Sequence, residues 1–172
     1  MVEVRVAALA DARAIAQVQV DSWRSAYRGL LPADLLAALS VDGREQVWRQ
    51  VLETASPGSA VLVAEADGPP VVGFVVVRPR PDAPRVGELM ALYVVPSAWR
   101  RRIGTLLHEA AVEHLARQGC ERAELWMLDG NERAEAFYRA RGWSTDGRRQ
   151  VEEHPDGFVL PVRGMSVDLP PG

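Results

Sequence analysis

The chain has 172 residues, of which 48% are hydrophobic and 25% charged, a balance typical of a folded globular protein that excludes wholesale disorder. Its net charge of −3 and its isoelectric point near 5.7 give no general case for nucleic-acid binding. Cys120 is the single cysteine, which excludes an intrachain disulfide, so we expect a reducing, cytoplasmic location. Glu3 and Arg5 interrupt any signal-peptide core, and no apolar run approaches the ~20 residues that cross a bilayer, so no membrane association is expected.

The N-terminal third predicts one strand followed by three helices. Valines alternate with charged residues over 2–6, which is the period-two pattern of a half-buried strand. Each helix begins at a recognisable signal: Asp11 as an N-cap, Pro32 in a first turn, and the capping-box spacing of Asp42 and Glu45. The expected helices extend from Asp11 to about Trp23, from Pro32 to Leu39, and from Asp42 to about Leu52.

The rest of the chain predicts strands interleaved with helices. Two valine-rich runs, 60–66 and 71–77, indicate strands buried on both faces, and 78–84, with three prolines, predicts an exposed connection. Further strands are expected over 86–95, 123–128, from Trp143 onward and 162–169, with helices over 103–115 and 131–141 and a polar turn at 154–157. These elements predict one α/β (α+β) domain over residues 1–172, with a mixed sheet.

The segment 92–104 predicts a phosphate-binding turn. A strand ends near Pro96, three arginines follow at Arg100, Arg101 and Arg102, and a helix then begins with Ile103, Gly104 and Thr105. The first N–H groups of a helix have no internal partner, and the helix dipole favours an anion there. The segment 100–105 is therefore a candidate pyrophosphate site; the alternative is a solvated basic helix start without a ligand.

Two motifs carry a family resemblance. The first is Glu-Leu-Met-Ala-Leu-Tyr-Val-Val-Pro over 88–96, continuing into Trp-Arg-Arg-Arg-Ile-Gly-Thr-Leu-Leu over 99–107. The second is Leu-Trp-Met-Leu-Asp-Gly-Asn over 125–131, continuing into Phe-Tyr at 137–138 and Arg-Gly-Trp at 141–143. Together they resemble the GNAT superfamily of N-acetyltransferases, which bind acetyl-CoA. The resemblance implies a mixed, mostly antiparallel twisted sheet of about six to seven strands, flanked by about four to five helices.

The resemblance also implies roles for individual residues around the cofactor. The backbone of Leu92, Tyr93 and Val94 would pair with the pantetheine arm, with an N–H near Val94 directed at the thioester oxygen. Asn131 would contact the cofactor arm, and the Tyr138 hydroxyl would act as general acid near the sulfur. The structural alternatives are a core strand, a helix N-cap for Asn131 and a half-buried core side chain for Tyr138.

The general base and the acceptor contacts are predicted less directly. Family members often use a carboxylate of the strand predicted here over 86–95 to take the amine proton, directly or through water, which points to Glu88. Because side chains of a strand alternate with a period of two, Glu88 is expected on the same face as Val94. In an apolar cleft the pKa of this carboxyl would rise, whereas the alternative is a surface or salt-bridged glutamate. Trp23, Tyr27 and Trp126 are candidate acceptor contacts, with core packing as the alternative.

One departure from the family pattern concerns the pyrophosphate turn. Aligned on Pro96 and Gly104, the chain has Trp99 where the family has Gln or Arg, and Arg102 where it has its first Gly. We expect direct acetyl transfer from acetyl-CoA to a primary amine of a small molecule or protein, in a ternary complex; the alternative is a non-catalytic CoA-binding sensor or interaction module. No metal-ligand spacing is present, so no metal is expected. Apolar stretches in the C-terminal strands would suit a homodimer.

Overall fold

The computed structural model describes residues 1–68, 70–153 and 157–171, so Pro69 and most of the turn expected at 154–157 lie outside the described residues. Within them the chain forms seven strands and five helices. The strands are β1 (Val2–Val6), β2 (Ala60–Ala66), β3 (Val71–Arg80), β4 (Ala83–Val94), β5 (Arg122–Leu128), β6 (Ser144–Glu153) and β7 (Val159–Asp168). The helices are α1 (Ala12–Ala26), α2 (Ala33–Ala38), α3 (Val41–Glu53), α4 (Ile103–Arg117) and α5 (Glu132–Arg139).

The seven strands form one sheet in the order β1-β2-β3-β4-β5-β7-β6. Every neighbouring pair is antiparallel except β4 and β5, which are parallel because α4 carries the chain back across the sheet between them. The prediction of a mixed, mostly antiparallel sheet with flanking helices is confirmed.

Helices cover both faces of the sheet. On one face, Ile103 and Leu107 of α4 pack against the valines of β3, and both side chains are essentially inaccessible to solvent. On the other face, Ile15 of α1 and Trp48 of α3 pack against Phe74. The near-continuous valine content of β2 and β3 follows from this arrangement, because both faces of these strands are buried.

The third helix begins differently from the sequence prediction. Ser40, rather than Asp42, is the N-cap of α3, and its hydroxyl accepts a hydrogen bond from the backbone N–H of Gly43 at 3.2 Å. Asp42 and Glu45 instead both accept from Arg13 of α1, at 2.9 and 2.8 Å. The predicted capping box is therefore wrong, since both acidic side chains are used to join two helices.

The connection predicted over 78–84 is also different in the structure. Strand β3 continues to Arg80 and β4 begins at Ala83, so the two strands form a tight hairpin that contains Pro79. The proline is tolerated because β2 begins at Ala60, opposite Val77, and does not extend as far as Pro79. No strand therefore lies on the β2 side of Pro79 to need the N–H that proline lacks. This extension places Arg78 opposite Glu88, at the edge of the site described next.

Candidate active site

The main cleft begins where β4 and β5 separate. Among the described residues these parallel strands pair only over Val86–Glu88 and Arg122–Glu124. Beyond that point Met90 bulges out of β4, since its two neighbours pair with consecutive residues of β3. A bulge bends and twists its strand, and the diverging strands leave a cleft of about 790 Å³. The cavity thus follows from strand pairing that stops at Glu88.

Nearly all of the sequence-predicted site residues line this cleft. They are Trp23, Tyr27, Glu88, Leu92, Tyr93, Val94, Arg100, Arg102, Ile103, Gly104, Thr105, Trp126, Asn131 and Tyr138. Arg101 does not line it, because its guanidinium donates to the carboxylate of Asp67 at 3.1 Å, on the exposed surface. The structure therefore brings both motifs and the N-terminal aromatic residues to one cavity.

The turn before α4 has a backbone conformation that usually requires glycine. Arg100 and Arg102 both have φ of 63°, in the left-handed region, and Arg102 occupies the N-cap position of α4. A non-glycine residue in this conformation costs about 1–2 kcal/mol, which explains why a glycine is favoured at the Arg102 position. The left-handed turn is preserved here, and the Arg102 side chain is exposed rather than packed inside it.

Four arginines gather at this end of the cleft. Arg100, Arg102, Arg133 and Arg141 all line it, and none forms a carboxylate ion pair within the described residues. The pKa of Arg133 is lowered by burial and by the nearby charge of Arg100, and burial lowers the pKa of Arg141 as well. Arg100, Arg102 and Arg133 are exposed, so this end of the cleft is an accessible positively charged surface that favours an anionic ligand.

Trp99 organises part of this cationic end. The Arg133 guanidinium lies over its ring, 3.2 Å from the centroid, in a cation–π contact. The indole N–H donates to the carbonyl of Val94 at 2.7 Å, which ties the turn to the end of β4. Trp99 thus replaces a polar side chain of the family pattern while holding a cation from α5 near the same place.

Tyr138 is a buried polar side chain of the cleft. It is only 7% exposed and packs edge-on against Phe137 and Trp143, at centroid distances of 5.2 and 5.5 Å. Its hydroxyl has no hydrogen-bond partner within the described residues, and burial raises its pKa above the ordinary value of 10. The phenol is therefore protonated at neutral pH and available to a ligand.

Asn131 precedes Tyr138 by two helical turns. Its side-chain oxygen accepts a hydrogen bond from the backbone N–H of Ala134 at 3.2 Å, so it is the N-cap of α5. The N-cap role given above as the structural alternative is therefore observed, and the side chain also lines the cleft. Nearby, Gly104 allows α5 to approach α4 closely, because a Cβ there would lie 3.3 Å from the Phe137 ring.

The relation predicted between Glu88 and Val94 is wrong. The bulge at Met90 adds one residue to β4, so the parity of the strand changes and the two side chains lie on opposite faces. Glu88 shares its face with Tyr93, which packs with the α1 side of the core. Its carboxylate accepts from Nε of Arg78 at 2.7 Å, so it is ion-paired rather than surrounded by apolar groups.

A second carboxylate stands beside Glu88. Glu124 is its direct partner across the parallel strands and lies at the same fork. It accepts from Arg80 at 3.0 Å and from Arg148 at 3.1 Å. The fork therefore carries two carboxylates, each with its own arginine neighbours.

Aromatic side chains form the wall facing Glu88. Trp23 contacts Tyr27 edge-on at 5.0 Å and Tyr93 at 6.4 Å, and the hydroxyls of the two tyrosines are 3.1 Å apart. Trp126 lies on the same side of β5 as Glu124, with the Arg148 guanidinium 4.5 Å from its ring centroid. Burial raises the pKa of Tyr27 well above its usual value.

Sequence reasoning missed several residues of the cleft. These are Arg78, Glu124, Arg133, Arg141 and Arg148. Arg133 had a detectable signal, because a cation in the first turn of a helix opposes the dipole and suggests an external anion. Arg78, Glu124 and Arg148 had none, since their proximity depends on strand register.

Comparisons with known proteins agree with this geometry. The family model described as Acetyltransferase (GNAT) family matches residues 20–143. The uncharacterized N-acetyltransferase YuaI of Bacillus subtilis (strain 168) is 32% identical over 142 residues, which cover 81% of this chain and 79% of that protein.

Solved structures share the fold. A GCN5-related N-acetyltransferase from Rhodopseudomonas palustris has a TM-score of 0.79 at 22% identity, covering 97% of this chain and 95% of that one. The PaiA N-acetyltransferase of Thermoplasma acidophilum, crystallised in complex with coenzyme A, has a TM-score of 0.72 at 18% identity, covering 98% and 99%.

Two further observations concern the described residues as a whole. No group of three or more His, Cys, Asp or Glu side chains is placed to hold a metal ion in 1–68, 70–153 or 157–171. Over the same ranges, none of the helices has the length and apolar character needed to span a membrane.

From its family match and its relatives, the chain belongs to the GNAT family and is an acetyl-CoA-dependent N-acetyltransferase.

Proposed function

We propose that this chain transfers the acetyl group of acetyl-CoA directly to a primary amine in a ternary complex. Glu88 takes the amine proton, directly or through an ordered water, and Tyr138 donates a proton to the leaving thiolate. The arginine-rich turn binds the phosphates of the cofactor, and the wall formed by Trp23, Tyr27 and Trp126 contacts the acceptor.

The cationic end of the cleft fits a CoA pyrophosphate and its additional phosphate. Four arginines without carboxylate partners in the described chain supply charge, and the left-handed turn at Arg100 and Arg102 directs backbone N–H groups outward ahead of α4. Arg102 supports binding rather than closing the site, because its exposed side chain leaves the turn itself accessible. A non-catalytic CoA-binding module would use the same cationic end, so the preference for an enzyme rests on Glu88 and Tyr138 instead.

The end of β4 offers backbone groups to the thioester. Successive N–H groups of a strand point to opposite sides, and the N–H of Val95 donates to Val72 of β3 at 2.9 Å. The N–H of Val94 therefore points away from β3, into the gap beside β5. This direction supports its assignment to the thioester oxygen, where developing negative charge needs a donor.

The two proton transfers of the reaction are assigned to different residues of the cleft, Glu88 and Tyr138. Acetyl-CoA supplies an activated acetyl thioester, whose carbonyl carbon accepts the amine nitrogen as the carbon–sulfur bond breaks. Glu88 accepts a hydrogen bond from the Arg78 guanidinium at 2.7 Å and removes one proton from the amine. Tyr138 supplies one proton to the sulfur and regains one from solvent, and Glu88 releases the proton that it took to solvent. An acceptor that arrives as an ammonium first loses one further proton to solvent, so the overall transfer is balanced.

The observation that carries this proposal is the Tyr138 hydroxyl. It is buried, protonated and without a hydrogen-bond partner in the described residues, although the rest of its ring is tightly packed. The hydroxyl oxygen is not fully enclosed by protein, so it reaches the cleft and can donate a hydrogen bond to a bound ligand.

Substitution of the hydroxyl tests this role. Tyr138→Phe preserves the ring packing, so we expect kcat to fall by about 10²-fold, the low end of general acid–base contributions. The Kd for acetyl-CoA, measured by calorimetry, should change less than about twofold. A kcat unchanged by the substitution would remove Tyr138 from the mechanism; loss of acetyl-CoA binding would show a binding role instead.

A further inference from the structure

The part of the cleft facing Glu88 differs in character from its arginine-rich end. We call it the acceptor pocket, defined by Trp23, Tyr27, Leu31, Tyr93, Trp126 and Leu128. Leu31 and Leu128 are buried and pack in one cluster with the two N-terminal aromatic side chains. Large aromatic and apolar side chains from the N-terminal region, β4 and β5 therefore line the pocket.

The hydroxyls in this wall do not make it polar. Those of Tyr27 and Tyr93 are 3.1 Å apart and bond to each other, so neither needs a ligand to be satisfied. Ser22, which also lines the cleft, donates to the carbonyl of Val94 at 3.2 Å. A polyhydroxylated acceptor would lose its water there without gaining equivalent hydrogen bonds.

Among the charged groups of the pocket, one carboxylate oxygen at its inner end is available to bind a cation. Arg148 donates to Asp146 at 2.7 Å. Glu124 accepts from Arg148 at 3.1 Å and from Arg80 at 3.0 Å, both at Oε2, and its Oε1 is ion-paired with Arg122 at 3.6 Å. Glu88, by contrast, receives a single hydrogen bond, to Oε2 from Arg78. Its second oxygen has no partner in the described chain and is the remaining acceptor for an ammonium N–H.

A second carboxylate, Glu152, lines the cleft from β6 but is exposed. Its charge reaches Tyr27 and Tyr93, but because the carboxylate is exposed to water, an ion pair made with it contributes little to binding. The pocket thus combines one inner carboxylate oxygen with an aromatic enclosure, which matches a monocation attached to an apolar body.

We propose that the acceptor is a primary monoamine with an aromatic or branched apolar body, bound with its nitrogen at Glu88 and its body between Trp23, Tyr27 and Trp126. This inference rests on the proposed function and adds the substrate class. Burying one aromatic side chain is worth about 10–100-fold in binding. We therefore expect kcat/KM for 2-phenylethylamine to exceed that for ethylamine by about that factor.

Thiol release from acetyl-CoA by the full chain tests the class, with 2-phenylethylamine, isoamylamine, ethylamine, ethanolamine, spermidine and kanamycin as acceptors. Preference for the first two supports the proposal. Preference for ethanolamine, spermidine or kanamycin overturns it while leaving the proposed acetyl transfer in place. Absence of transfer to every amine, in protein that binds acetyl-CoA, overturns both.

Variants locate the selectivity. Trp23→Ala should lower the ratio of kcat/KM for 2-phenylethylamine over ethylamine about tenfold, and Trp126→Leu should lower it in the same direction by removing ring surface without a large void. Val47→Ala, at an exposed apolar position on α3, should keep the wild-type ratio. A ratio unmoved by both tryptophan substitutions, with normal acetyl-CoA binding, places the apolar contact elsewhere and overturns the proposed pocket.

Discussion

Stability near pH 5 should depend on one buried histidine that packs against Tyr138. His108 of α4 is 6% exposed, and its Nε2 accepts a hydrogen bond from the indole N–H of Trp143 at 2.8 Å. The ring must therefore be neutral, with its proton on Nδ1. Burial, together with the charge of Arg141, lowers the pKa of His108 to about 4 from an ordinary value of 6.5.

The sign and size of the effect follow from linkage. The histidine of the unfolded chain binds a proton at higher pH than that of the folded chain, so this contribution is fully present above pH 6.5 and is lost as the pH falls toward 4. With these two pKa values, the folded state loses about 2 kcal/mol at pH 5 relative to pH 7.5. The loss approaches about 3 kcal/mol when the pH reaches the folded-state value.

Urea denaturation at pH 7.5, 6.0 and 5.0 measures this loss. The wild-type free energy of unfolding should fall by about 2 kcal/mol more than that of His108→Gln, which has no group to titrate in this window. His114→Gln is the matched control, because it removes a histidine of the same helix and leaves the Trp143–His108 bond intact. Parallel losses in wild type and His108→Gln would refute the reasoning.

Two further substitutions test the cationic turn. Arg133→Gln should weaken acetyl-CoA binding, measured by calorimetry at low salt, about tenfold. Arg139→Gln, at an exposed position on the same helix, should leave the Kd within twofold. Equal effects of the two substitutions would argue against a specific phosphate contact. Arg102→Gly should raise the free energy of unfolding in urea by about 0.5–1 kcal/mol, because relief of the left-handed conformation exceeds the entropy cost of glycine. The matched Arg101→Gly, which carries no such strain, should lower it.

The helices and strands were largely predictable because their signals are local. The spacing of Ile103, Leu107 and Leu115 predicted α4, and the valine runs predicted β2 and β3, since burial of one face repeats with the period of the element. The two motifs predicted that the turn before α4 and Tyr138 belong to one site, and both line the same cleft. Local signals failed where a side chain had two possible partners, as with Asp42, which binds Arg13 instead of capping its own helix.

The sequence by itself thus determined the elements, the arginine turn and the family to which the chain belongs. Tertiary structure alone decided how the strands pair, and with it the parity change at Met90, the ion pair between Arg78 and Glu88 and the aromatic wall around Tyr27 and Tyr93. The physical reason is that strand register joins residues far apart in the chain, and a shift of one residue moves a side chain to the other face. Nothing in the spacing from Glu88 to Val94 marks the added residue of a bulge, yet that residue places the proposed base on the acceptor side of the cleft.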